Sequence, residues 1–148
     1  MEVKFRKATL NDVESIVKLC NECFDENTTI DYAKKIFIET ENDSNQIYLI
    51  GELEGYIIAH TKITIIPTIF EEMNTYSILN HVCVKEEYRR HNIATKMLEE
   101  CEKICKEKKC ISIKLWSKNF REAAQSCYKN FGFTVEDAGF FEKRIDKE

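Results

Sequence analysis

Proline and glycine are scarce in this chain, with one proline, Pro67, and four glycines among 148 residues. There is accordingly no Pro/Gly-rich linker, and neither a low-complexity tract nor an internal repeat is visible. Long apolar runs are also missing. The longest, residues 56–59 and 63–66, fall far short of the roughly 20 residues that span a bilayer. The opening Met1-Glu2-Val3-Lys4-Phe5-Arg6 alternates charge with apolar residues and offers no signal-peptide core. An excess of positive charge is lacking as well. The 22 Lys+Arg stand against 26 Asp+Glu, for a net charge of -4 and a pI near 5.5. Nucleic-acid phosphates call for a basic face, so this balance argues against nucleic acid as the main partner. These absences lead us to expect a cytoplasmic protein with no membrane and no nucleic-acid partner.

Hydrophobic residues make up 43% and charged residues 32%, enough apolar material for one core and one domain over residues 1–148. Seven cysteines are many for this length: Cys20, Cys23, Cys83, Cys101, Cys105, Cys110 and Cys127. An odd number with no export signal reads as reduced thiols serving as small hydrophobes. Cys20 and Cys23 form a C-x-x-C, and Cys101 and Cys105 lie one helical turn apart, so a zinc site of these four was weighed. Cys20, Cys101 and Cys105 all fit apolar helical stripes, which accounts for them without metal, and no metal is expected.

The periodicities predict the order β-α-α-β-β-β-α-β-α-β-β, an α/β or α+β chain around a mixed sheet. Residues 3–7 alternate as a short strand. Thr9, with Asp12 three residues on, marks a helix start, and Val13, Ile16, Val17, Cys20 and Phe24 follow at helical spacing. A second helix is expected from Asp31 and a turn over residues 42–45. Strands are expected over 46–52, 56–66 and 76–84, the first two joined at Leu53-Glu54-Gly55. Helices after Asn92 and over 120–131 enclose a strand at 111–116, with Gly132 closing the last helix. Two final strands are expected at 133–135 and 139–145.

The chemistry concentrates where the strand ending Val82-Cys83-Val84 passes through a basic turn, Arg89-Arg90-His91-Asn92, into a helix beginning Ile93-Ala94-Thr95. A helix start presents unpaired N–H groups and the positive end of the dipole, which suits a diphosphate. Tyr88-Arg89-Arg90-His91-Asn92-Ile93-Ala94 resembles the pyrophosphate loop of the GNAT superfamily of acyl-CoA-dependent N-acyltransferases, Y-R-G-x-G-I-G/A after a V-x-V strand. Both loop glycines are replaced, by Arg90 and Asn92. Asparagine tolerates left-handed backbone well, and Arg90 adds charge where an anion should sit. The stretch from Arg121 to Phe133 is similar to the second family signature, N-x-x-A-x-x-F-Y-x-x-x-G-F, with Ala124, Tyr128, Gly132 and Phe133 in register and Arg121 at the asparagine position. With Phe5-Arg6-Lys7-Ala8-Thr9 resembling the family's opening strand and cap, the likeness covers nearly the whole chain.

The resemblance implies a GNAT-like mixed, mostly antiparallel central sheet, helices on both faces, and a V-shaped splay between central strands. It implies acetyl-CoA as acetyl donor. Val82, Cys83 and Val84 would offer backbone to pantetheine, and Arg89, Arg90, His91, Asn92, Ile93, Ala94 and Thr95 would hold the diphosphate, with Arg121 and Tyr128 also at the cofactor. Tyr128 would be the general acid toward the leaving thiolate. The glutamate that many relatives use before V-x-V falls at Asn80, which is no base, so His81 is the candidate base, with His60 on weaker grounds. Glu71 and Glu72 read as solvated charges. An acetyl-Cys83 intermediate is the lesser route, because direct transfer is the family habit. The acceptor expected is a primary amine of a small molecule. The alternatives are a protein N-terminus or lysine, a non-catalytic acyl-CoA-binding regulatory module, or an interaction domain that binds no coenzyme A. Relatives of this kind are often homodimers.

Overall fold

Alternating apolar and polar residues become strands here only where a neighbouring strand completes their hydrogen bonds, and that condition shapes the whole architecture. The computed structural model describes residues 2–146. Five strands, β1 (Lys4–Lys7), β2 (Gln46–Leu53), β3 (Tyr56–Ile66), β4 (Tyr76–Val84) and β5 (Ser112–Lys114), form one sheet in the order β1-β2-β3-β4-β5. The first three pairings are antiparallel and β4–β5 is parallel. The helices are α1 (Val13–Phe24), α2 (Ile30–Thr40), α3 (Ile93–Glu107) and α4 (Glu122–Phe131). The mixed, mostly antiparallel sheet is the one expected. Among the described residues, no helix is long and apolar enough to cross a membrane.

The β2–β3 hairpin turns at Glu54-Gly55, both with positive φ, at 50° and 85°. That pair of signs is the twist a two-residue hairpin needs. Between His60 and Lys62 the β3–β4 register shifts: one residue of β3 faces two of β4, and His81 is pushed to φ 49°. This bulge re-aims the end of β4. Ile50, His60 and Cys83 then share one cross-strand row beneath α1, where Ile16, Leu19 and Cys20 close over Ile50 and Cys83. The opposite face, with Ser77 and Thr61, lies toward α3, where the Cys105 thiol donates to Ser77 Oγ at 3.1 Å. Helices therefore cover both faces of the sheet.

One expectation changes. Residues 133–135 and 139–145 form no strand, and Val135, Phe141 and Ile145 are largely exposed. Apolar, β-branched composition alone does not make a ladder. The chain also divides into two compact units, Met1–Ser117 and Lys118–Glu148, with the sheet in the first and α4 in the second.

The Thr9–Asp12 pair does open the first helical segment, as a 3-10 turn (Leu10–Asp12) leading into α1. The Asp12 carboxylate accepts from the Thr9 backbone N–H at 2.7 Å and from the Thr9 hydroxyl at 3.1 Å. Arg6 forks onto the same carboxylate at 2.8 and 3.0 Å and also reaches Glu52 at 2.8 Å, tying β1, β2 and the start of α1 together. The Arg6 guanidinium, aided by the Thr9 donors, holds the Asp12 carboxyl down to about 2. A carboxyl depressed on folding stabilises above its unfolded pKa and loses that contribution as pH falls through the folded value. Asp12→Asn should lower stability by about 1–2 kcal/mol at neutral pH. Its urea midpoint and that of the parent should converge as pH falls from about 4 to about 2. A gap that stays constant across that range would show the charge to be unimportant.

Candidate active site

Strand β5 leaves β4 early. Pairing runs only from Tyr76–Ser112 to Ile78–Lys114, while β4 continues to Val84. Among the described residues, the β5 side of residues 79–84 has no strand pairing, which is the splay the family resemblance implies. Backbone groups at such an edge need partners, and an extended ligand can supply them. Cys83 and Val84 are buried, Val82 is half-buried, and Asn80 and His81 are exposed.

Beyond Val84 the Lys85 N–H returns to the Ile58 carbonyl at 2.7 Å, and a 3-10 turn (Glu86–Tyr88) swings the chain toward α3. Arg90 has φ 68° and Asn92 φ 60°. These are the two positions where the family loop carries glycine, and both residues take the left-handed conformation that glycine accepts freely. Asn92 does so easily, whereas an arginine there is strained by about 1 kcal/mol or more. The Asn92 side chain makes no cap hydrogen bond, and the first turn of α3 holds no acidic residue. The mouth of a 15-residue helix thus opens beside the exposed Arg89, Arg90 and His91, with Ala94 and Thr95 half-buried and Ile93 buried in the core. The electrostatics suit an anion. Arg89 is partly committed elsewhere. Its Nε donates to the Val84 carbonyl at 2.9 Å and its Nη2 to Cys23 Sγ at 3.7 Å, so it braces the turn against the strand.

His81 has a partner that sequence reasoning missed. Asp25, at φ 52°, ends α1 in the left-handed conformation, and the Asn21 side chain grips the Thr28 backbone by two 3.0 Å bonds. This pinned loop carries Glu26, whose carboxylate lies 2.9 and 3.1 Å from His81 Nε2. Phe24 stacks edge-on against the imidazole, with ring centroids 4.8 Å apart. The carboxylate accepts, so Nε2 carries the proton and Nδ1 presents the basic lone pair. Both side chains stay open to solvent. No local pattern marks Glu26, because its role depends on a helix end meeting a strand bulge 55 residues later.

The remaining candidates separate clearly. His60 is 3% exposed, with Nδ1 3.0 Å from the His81 carbonyl, out of reach of an incoming amine. The Cys83 thiol is buried, and its pKa is pushed up by hydrogen bonds to Cys20 and Cys23 and by burial, the opposite of an activated nucleophile. Cys23 is lowered to about 7, first by Cys83 and then by Arg89. Cys101 and Cys105 lie on the α3 side of the sheet, their thiols raised by burial to about 12 and about 11, and do not join Cys20 and Cys23. Tyr128 and Arg121 belong to the second unit. There Arg121 precedes α4 with its guanidinium over the Phe120 ring at 5.0 Å. Tyr128 is half-buried beside Phe133 at 5.8 Å, and its carbonyl accepts the Phe133 N–H at 3.0 Å across left-handed Gly132.

Comparison with known proteins agrees with this geometry. The model of the acetyltransferase (GNAT) family matches residues 13–133. No curated protein matches the chain. Among solved structures, a transcriptional regulator from Bacillus halodurans C-125 superposes with a TM-score of 0.88 at 19% identity, covering 97% of this chain and 100% of that one. Glucosamine-6-phosphate N-acetyltransferase from Arabidopsis thaliana gives a TM-score of 0.82 at 17% identity over 97% and 99% of the two chains. An acetyltransferase of Clostridium acetobutylicum, solved with acetyl-CoA, gives 0.79 at 20% over 99% of each. At these identities the structures establish the fold, and the family model establishes membership: the chain belongs to the GNAT acetyltransferase family.

The left-handed angles at Arg90 and Asn92 have a measurable consequence. A glycine normally weakens a protein by adding freedom to the unfolded chain. Arg90→Gly should instead leave stability unchanged or raise it by up to about 1 kcal/mol, because it relieves backbone strain. Arg90→Ala, which keeps the strain, should not. Chemical denaturation of both variants checks this, and equal destabilisation by the two would contradict it.

Proposed function

We propose that the chain is an acetyl-CoA-dependent N-acetyltransferase acting on a primary amine of a small molecule, with residues 1–148 working as one catalytic domain. The carrying observation is the open β4 edge running into an uncapped, left-handed turn at the mouth of α3. Family membership supports the reading. In it, the backbone of Val82, Cys83 and Val84 pairs with pantetheine. The N–H groups from Arg90 to Thr95, with the Arg90 and His91 side chains, hold the diphosphate. Arg89 keeps the turn in shape.

Acetyl-CoA supplies a thioester whose carbonyl the neutral amine attacks. His81 Nδ1 takes the amine proton, directly or through water, while Glu26 orients the ring and balances the imidazolium that forms. Tyr128, by its place in the second signature, gives a proton to the departing sulfur, and coenzyme A leaves. Charge neither accumulates on the amine nor remains on the thiolate, and no covalent enzyme intermediate is required. An acyl-CoA-binding module without turnover is the second reading, favoured by the engagement of Arg89 with Val84 and Cys23.

A coenzyme A release assay with acetyl-CoA against grouped small amines, polyamines, amino sugars and N-terminal or lysine peptides separates these readings. Turnover with a small amine is expected. Acetyl-CoA binding with no turnover across the panel would favour the module, and turnover only with peptides would reassign the acceptor. Tyr128→Phe should reduce kcat by about 100-fold or more with little change in acetyl-CoA affinity. His81→Ala should lose the acidic limb of the pH–rate profile and recover part of its rate with added imidazole. A retained limb would clear His81 of the base role.

A further inference from the structure

Four side chains behind the proposed pantetheine strand form a buried thiol–imidazole cluster that acetyl transfer does not use. His60 on β3 and Cys83 on β4 are cross-strand neighbours, and α1 lays Cys20 over them. Cys20 Sγ lies 3.7 Å from His60 Nδ1 and 3.9 Å from Cys83 Sγ, and the donor atoms of the three all fall within 4.8 Å of one another. Cys23, the second thiol of the C-x-x-C, lies one helical turn further along α1, where its thiol donates to the Val84 carbonyl at 3.8 Å. Two thiols and one imidazole thus converge from a helix and two strands, with a third thiol at the margin of the group. The three inner residues are between 3% and 8% exposed.

We propose that Cys20, Cys23, Cys83 and His60 bind one zinc ion. Zinc held at about 2.3 Å from sulfur and about 2.0 Å from nitrogen sets tetrahedral ligand atoms about 3.8 Å (S···S) and about 3.6 Å (S···N) apart. Cys20, Cys83 and His60 already stand near those separations, and Cys23 would turn in from the Val84 carbonyl to complete the set. A Cys3His set is a closed structural set with no open position for substrate. The His60 ring presents Nδ1 to the group, facing both Cys20 and the His81 carbonyl, while Nε2 is buried with no hydrogen-bond partner. Ligation through Nδ1 gives up the carbonyl hydrogen bond and moves the ring proton to Nε2, costs that the metal–nitrogen bond has to exceed. Charge supports the assignment. Three thiolates around a divalent ion leave one net negative charge, and the Arg89 guanidinium stands 3.7 Å from Cys23 Sγ. Binding releases the three thiol protons to solvent. The ion would tie α1 to β3 and β4 directly behind the backbone of Cys83, in addition to any catalytic role of the chain.

The test uses the full chain, stripped of metal under a non-chelating reductant and titrated with Co2+. We expect a sulfur-to-cobalt charge-transfer band and intense tetrahedral d–d bands that saturate at one Co2+ per chain and are bleached by one equivalent of Zn2+. Cys20→Ser or Cys83→Ser should abolish tight binding. Cys23→Ser, at the half-exposed position, should cut the charge-transfer intensity by roughly a third, the share of one thiolate in three. Cys101→Ser should change nothing. Absence of a charge-transfer band in the reduced parent protein would overturn the proposal, as would a band that survives in Cys83→Ser. Recovery of the untreated protein as a metal-free Cys20–Cys83 or Cys23–Cys83 disulfide, with no Co2+ uptake after reduction, would overturn it in favour of a redox pair.

Discussion

Backbone hydrogen bonding between β4 and β5 stops at Ile78 and Lys114, and the functional geometry follows from that stop. A central strand that loses its neighbour halfway keeps polar groups that the interior of a sheet would satisfy. The chain makes up part of the shortfall internally. Thr61 Oγ1 donates to the Asn80 carbonyl, His60 Nδ1 faces the His81 carbonyl, and Arg89 takes the Val84 carbonyl. Side chains that satisfy the β3-facing and terminal carbonyls keep β4 extended through its bulge, and the edge away from β3 stays open for an extended ligand. The same bulge gives His81 its positive φ and turns its imidazole toward Glu26. The missing stretch of ladder positions the proposed cofactor edge, and the bulge on the β3 side positions the proposed base.

Elements whose cause is local were legible in the sequence. The Glu54-Gly55 turn, the Thr9–Asp12 cap and the left-handed Asn92 each depend on a few neighbouring residues, and the structure shows each of them. Elements whose cause is a distant partner were not. Residues 133–135 and 139–145 carry strand-like composition and form no strand. The dyad of Glu26 and His81, and the row that brings His60 under Cys20 beside Cys83, depend on cross-strand register and on a bulge that periodicity does not encode. Cys20, Cys101 and Cys105, which fit apolar helical stripes, are buried as that pattern implies. Which thiols meet, however, is decided by the faces of the sheet: Cys20 and Cys83 on one side, Cys101 and Cys105 on the other.

Several exposed apolar side chains stand apart from this machinery. The loop after β3 carries Ile69, Phe70 and Met73 with most of their surface exposed, and α2 presents Tyr32 and Ile38 outward. Phe37 anchors α2 in the core, and these outward side chains take no part in it. The fold itself is shared by proteins as different in name as a glucosamine-6-phosphate N-acetyltransferase and a transcriptional regulator.

The angles at Arg90 and Asn92 also bear on how such loops change over time. What the junction requires is a pair of dihedrals, and glycine is only the least costly letter that satisfies them. Where the surrounding turn enforces the conformation, a charged or amide side chain can occupy the position and bring new chemistry to the mouth of the helix. Kinship among such loops is therefore written more faithfully in torsion angles than in an alphabet of residues.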